Sequence, residues 1–160
     1  MNEELDQSTA EGDAGLRLRM RGEERRISSQ HKQLGDLFQL TLASVTVGGP
    51  RKAIGDFLLF ETALEAHMSL EEDIYFPALH GLRNDLEDEL IRLVAEHREI
   101  RTALRDVKKC LSTATGDETR SALNEFADLI DRHEAEEEDL LARITEGPVA
   151  RLGHTILEND

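Results

Sequence analysis

Two histidines are each followed, four residues on, by a glutamate: His67 by Glu71 and His133 by Glu137. An α-helix turns about 100° per residue, so a step of four leaves the two side chains about 40° apart, one turn along the same face. A further histidine, His31 or His97, stands 36 residues upstream of each pair. A single offset of 66 residues therefore carries His31, His67 and Glu71 onto His97, His133 and Glu137. Imidazoles and carboxylates repeated in this way predict a two-metal site.

The bland alternatives fit less well. One histidine on an apolar helix face is normally a hydrogen-bonded core residue, but one on each of four helices, at matched spacing, points to ligands. An ionised carboxylate inside a bundle is costly unless it is paired or coordinated. Two that face each other repel, which raises the pKa of at least one. A pair of cations relieves both costs. The matched step also selects the glutamates. Glu136 lies three residues past His133, but Leu70 holds the corresponding position, and Glu72 and Glu138, one residue further on than Glu71 and Glu137, should face solvent. Four imidazoles and two carboxylates suit iron, with manganese or zinc less favoured, and do not suit magnesium or calcium. Two bridging carboxylates would hold the ions roughly 3.5–4 Å apart. That leaves room for an oxo or hydroxo bridge and at least one open position, a place for O2 or NO.

The elements that must position these residues are legible as four helical stripes. Ile27, His31, Leu34, Phe38 and Leu42 form the first, on a helix starting near Glu23 and ending before Gly48-Gly49-Pro50. Pro50 suits the first turn of a second helix, whose inward face is expected at Phe57, Phe60, Leu64, His67, Glu71, Ile74 and Ala78. Asn84 with Glu87 reads as a capping box opening a third helix, striped by Leu86, Leu90, Leu93, His97, Ile100, Leu104, Val107 and Leu111. After a break over residues 113–117, a fourth helix carries Leu123, Phe126, Leu129, Ile130, His133, Glu137, Leu140, Leu141 and Ile144, and Gly147-Pro148 ends it. The fold class expected is all-α, an up-down-up-down four-helix bundle over residues 23–146. Residues 1–22 are expected as a flexible arm, acidic and then arginine-rich, with Leu16, Leu18 and Met20 alternating as in an extended segment. Residues 147–160 are expected as a tail that could dock through Val149, Leu152, Ile156 and Leu157.

Composition agrees with an aliphatic bundle: 160 residues, 39% hydrophobic, 4% aromatic. The single cysteine, Cys110, excludes an internal disulfide framework and any cysteine-based zinc site. A net charge of −15 argues against a nucleic-acid partner, and five arginines between residues 17 and 26 read as a solvated arm on an acidic body. With no apolar leader and no stretch long enough to span a bilayer, a cytoplasmic protein without a membrane partner is expected. The oligomeric state cannot be read from the sequence.

His31, His67 with Glu71 followed by Tyr75-Phe76-Pro77, Glu96-His97, and His133 with Glu137 together resemble the hemerythrin family, often called in its bacterial form hemerythrin-like or HHE cation-binding domains. The resemblance covers roughly residues 25–145. It implies a non-haem centre of two iron ions, one held by His31 and His67, the other by His97 and His133, with Glu71 and Glu137 bridging. Oxygen-carrying members place a fifth histidine four residues after the one in the third helix; here that residue is Arg101, and its repeat counterpart is Gly35. Arg101 either snorkels to the surface or pairs with a carboxylate, an anion or a peroxide. Gly35 either permits close helix packing or leaves room for a ligand. Glu134 is a candidate extra carboxylate ligand, Tyr75 packs or takes part in electron transfer, and His80 should be exposed.

Three functions compete. The first is a di-iron protein that binds O2 or NO for sensing, storage or buffering. The second is a di-iron enzyme acting on peroxide or NO, with Arg101 steering the ligand. The third is iron storage or donation for repair of iron–sulfur centres. No catalytic residue is assigned.

Overall fold

The computed structural model describes residues 3–146, with side chains described from Leu18 to Thr145. The expected docking of the 147–160 tail lies outside the described residues. The described chain is all helical apart from short turns. Helix α1 (Glu3–Ala43) runs into a π turn (Ser44–Gly48), and α2 (Pro50–Leu70) continues through a second π turn (Glu71–Tyr75) into α3 (Phe76–Leu82). A 3-10 turn (Asn84–Leu86) leads to α4 (Glu87–Thr113), and α5 (Gly116–Glu146) completes the bundle. The α2–α3 rod is continuous, so four rods result. Helix α1 packs on α2 and α5, and α4 on α5 and α2, the ring of an antiparallel four-helix bundle.

Most of the expected stripes are buried. Every position of the α4 stripe is, and so are Ile27, His31, Leu34 and Phe38 on α1 and Leu123, Phe126, Ile130, His133, Glu137, Leu140, Leu141 and Ile144 on α5. These side chains form two apolar cores. One contains Phe38, Phe57, Phe60, Ile100, Leu104 and Phe126, and the other Met20, Ile27, Tyr75, Phe76, Leu90 and Leu140. The histidines and glutamates lie in neither, as a polar layer between them.

Three local expectations are corrected. Residues 16–21 are helical rather than extended, part of a helix that begins at Glu3, because continuing an existing helix adds a hydrogen bond per residue without a new nucleus, and this stretch contains no proline. On a helix, residues two apart point to opposite sides: Met20 is buried while Leu18 is 69% exposed. The second correction concerns Ile74 and Ala78, which turn outward while Tyr75, Phe76 and Leu79 turn in. The π turn is the reason: the Phe76 N–H donates to the Glu71 carbonyl, five residues back, so one extra residue enters the turn and the face after Glu71 advances by one.

The third concerns the helix starts. Asn84 sits inside the 3-10 turn, not ahead of the helix, and caps nothing. The capping box is at α5 instead. Thr115 Oγ1 accepts the Glu118 N–H at 3.4 Å, and Glu118 Oε2 accepts the Thr115 N–H at 2.9 Å. Gly49, at φ 78°, makes the reversal between α1 and α2 that disfavours any side chain. No helix among the described residues is long and apolar enough to cross a membrane.

Candidate metal centre

All six predicted ligand residues are buried and converge in the polar layer. They fall into two groups of mutually close donor atoms: His31, His67, Glu71 and Glu137 in one, and Glu71, His97 and His133 in the other. Glu71 belongs to both, whereas Glu137 belongs only to the first. Each imidazole turns Nε2 inward. His31 Nε2 is 3.2 Å from Glu137 Oε2, and His97 Nε2 is 3.2 Å from Glu71 Oε2, contacts related by the 66-residue offset. The symmetry stops there. His67 Nε2 approaches Glu71 Oε1 at 2.8 Å, while His133 Nε2 meets His97 Nε2 at 3.0 Å.

A cation fits this arrangement. His31 Nε2, His67 Nε2 and all four carboxylate oxygens of Glu71 and Glu137 are buried, and although several lie 2.8–3.2 Å from one another, none is in hydrogen-bond geometry with a described residue. Buried polar atoms are normally satisfied. Two nitrogens bound about 2.1 Å from one ion, at right angles, stand about 3.0 Å apart, which is the separation of the His97 and His133 nitrogens.

Without a cation, protons must do the same work. Burial raises Glu71 to about 8, with Glu137 adding to the effect against the opposing His97. Burial pushes Glu137 upward as well, but His31 and Glu71 outweigh it and hold it below the usual carboxylate range. Burial disfavours charge on His31, yet Glu137, Glu134 and Glu138 prevail and raise it to about 9. His67 is lowered to about 4, by burial first and with the neighbouring His31 adding to it. The opposed carboxylates thus raise one pKa of the pair, as their facing arrangement requires.

The outer Nδ1 atoms reveal residues that sequence reasoning missed. His31 Nδ1 bonds Glu138 at 3.0 Å, His97 Nδ1 bonds Glu72 at 2.8 Å, His133 Nδ1 bonds Glu96 at 2.8 Å, and His67 Nδ1 bonds the side-chain amide oxygen of Gln30 at 3.2 Å. Such outer partners fix the ring orientation and raise the basicity of the inner nitrogen. Glu72 and Glu138 were expected to face solvent. They do point away from the histidine of their own helix, but they reach the histidine of a neighbouring one. The offset that relates the ligands relates these residues too: Gln30 maps onto Glu96 and Glu72 onto Glu138.

Arg101 takes the carboxylate-pairing alternative. Its Nη1 donates to Glu72 at 2.7 Å and its Nε to Glu65 at 3.0 Å, so it pairs with carboxylates in the outer layer. At Gly35 an added Cβ would meet nothing within 4 Å, which removes the close-packing reading. Gly35 lines a cavity of about 110 Å³ instead. Phe76, turned inward by the π turn, stacks on His97 with centroids 5.7 Å apart. Tyr75 is buried, His80 is exposed, Cys110 is half-buried and Glu134 is half-buried near His31 and His67.

An all-helical bundle with imidazoles and carboxylates layered between two apolar cores is the architecture of a metal-binding helical protein. The family model described as the hemerythrin HHE cation binding domain matches residues 23–144, and the chain belongs to that family. No curated protein and no solved structure matches it.

Proposed function

We propose that the chain is a cytoplasmic non-haem di-iron protein that binds a small diatomic ligand, O2 or NO, for sensing, storage or buffering. In this reading His31, His67, His97 and His133 supply the nitrogen ligands, and Glu71 and Glu137 supply the carboxylates. The observation that carries it is the set of buried, unpartnered nitrogens and oxygens aimed at one another. A mixed imidazole and carboxylate donor set favours iron over the hard, oxygen-seeking cations. When bound, two iron ions supply redox capacity and a position open to a diatomic molecule.

The chain's own residues do the rest. Glu138, Gln30, Glu72 and Glu96 hold the imidazoles in one orientation, and the two apolar cores keep bulk water from the layer. A peroxide-steering role for Arg101 is less favoured, since its guanidinium is engaged by Glu65 and Glu72.

Metal analysis combined with absorption spectra of the reduced, air-exposed and azide-treated protein tests the proposal. Two irons per chain, with charge-transfer bands that change on azide addition, are expected. Less than one iron, or a spectrum unchanged in Glu71→Ala, rejects it. Iron that leaves under mild chelation would instead make the metal the cargo.

A further inference from the structure

The 66-residue offset maps Arg101 onto Gly35, Glu65 onto Asp131 and Glu72 onto Glu138. In one half of the layer the guanidinium fills the space between its two carboxylates. In the other half the arginine is replaced by a glycine, and the cavity of about 110 Å³ opens at that place. Its inner wall is apolar, with Leu34, Phe38, Phe60, Phe126 and Ile130, and Asp131 and Glu134 add carboxyl groups to its lining. None of the six ligand residues lines the cavity, but Leu34 and Gly35 lie about one helical turn from His31, and Glu134 follows His133 in the chain, so the cavity stands beside the layer on the His31 side.

We propose that this cavity is the ligand's entry to the centre, and that Asp131 and Glu134 make it selective, admitting neutral molecules of diatomic size and turning anions away. The inference rests on the di-iron reading and names the ligand class for it. Water claims about 30 Å³ of liquid volume, so a cavity of about 110 Å³ accommodates a diatomic molecule with space to spare. Apolar walls favour such a molecule over a hydrated ion, and the two carboxyl groups of the lining oppose an entering negative charge.

Two measurements test this separately. Xenon binding to the metal-free protein, followed by xenon NMR, reads the cavity alone. One site is expected in the wild type and none in Gly35→Arg, which places a guanidinium where the other half already accommodates one. No xenon site in the wild type, or an unaltered one in Gly35→Arg, overturns the entry. The second measurement reads selectivity in the iron-loaded protein, with azide on the ferric form and NO on the ferrous form. Removing one charge in Asp131→Asn should tighten azide about tenfold and leave NO affinity unchanged. Added salt should strengthen azide binding to the wild type more than to the variant, because it screens the repulsion. Glu134→Gln should shift azide in the same direction. Unchanged azide affinity in both variants, or an equal change for azide and NO, overturns the filter. Failure to load iron would reject the di-iron reading, and the filter with it, while the xenon result still decides whether the cavity exists.

Discussion

The two halves of the polar layer share a plan and differ in how it is filled. Around His31 and His67 both carboxylates are within reach, one imidazole is backed by the neutral Gln30, and a cavity stands where an arginine would be. Around His97 and His133 the imidazole nitrogens are in contact, both rings are backed by carboxylates, Arg101 fills the outer space and Phe76 covers His97. The first half is open and rich in inner donors; the second is closed and supported from outside. Symmetric backbones can thus carry unequal chemistry through a handful of substitutions at repeat-related positions.

Removing inner donors tests this difference most severely. Glu71 serves both groups and Glu137 only one. Glu71→Ala should therefore lose metal from both halves, and Glu137→Ala only from the His31/His67 half, as read by metal content per chain. Equal losses in the two variants would break the distinction.

The outer residues come next. Replacing such a partner changes metal affinity by roughly 10–100-fold. Gln30→Glu should tighten binding at the His31/His67 half, and Glu96→Gln should weaken it at the other. Stepwise metal titration reads each, and a shift in the wrong step would sink the assignment.

Protonation of the metal-free protein sets a third test. Folding raises His31 from 6.5 to about 9 and Glu71 from 4.5 to about 8, so the folded chain holds protons that the unfolded chain has released. Their stabilising contributions are complete below 6.5 and 4.5 respectively and are lost as pH rises through about 9 and about 8. His67, lowered to about 4, has the opposite sign and matters only as pH falls from 6.5 towards 4. The melting temperature of the metal-free chain should fall between pH 6.5 and 9, and metal loading over that window should release protons. A melting temperature that rises across it would contradict the raised proton affinity of His31 and Glu71. The weakest perturbation is Arg101→Gln. Its carboxylate partners are partly exposed, so thermal unfolding should show a loss of at most about 1 kcal/mol.

The ligand layer and most of the core could be read from periodicity because both depend on which side of a helix a residue occupies. The eight-residue stripe of α4, from Leu86 to Leu111, is buried throughout. The π turn at Glu71–Tyr75 was not legible, since one extra residue in a turn is a backbone choice decided by what must be covered, here His97 by Phe76. Nor were the outer partners. Angular position on one helix says nothing of a long side chain's reach to the next, although the repeat itself carried the signal in Gln30 with Glu96 and Glu72 with Glu138. The helical state of residues 16–21 was missed because an alternation of leucine or methionine with arginine mimics a strand, whereas elongation of a neighbouring helix decided the matter.

The crossed bonds have a further consequence. Glu72, on the first helical hairpin, holds His97 on the second, and Glu138, on the second, holds His31 on the first. Reciprocal contacts of this kind are the mark of an isologous interface, the kind two identical subunits make about a two-fold axis. The single chain therefore behaves at its centre like a dimer of hairpins joined by the turn at residues 83–86. Neither hairpin contains the groups that orient all of its own histidines.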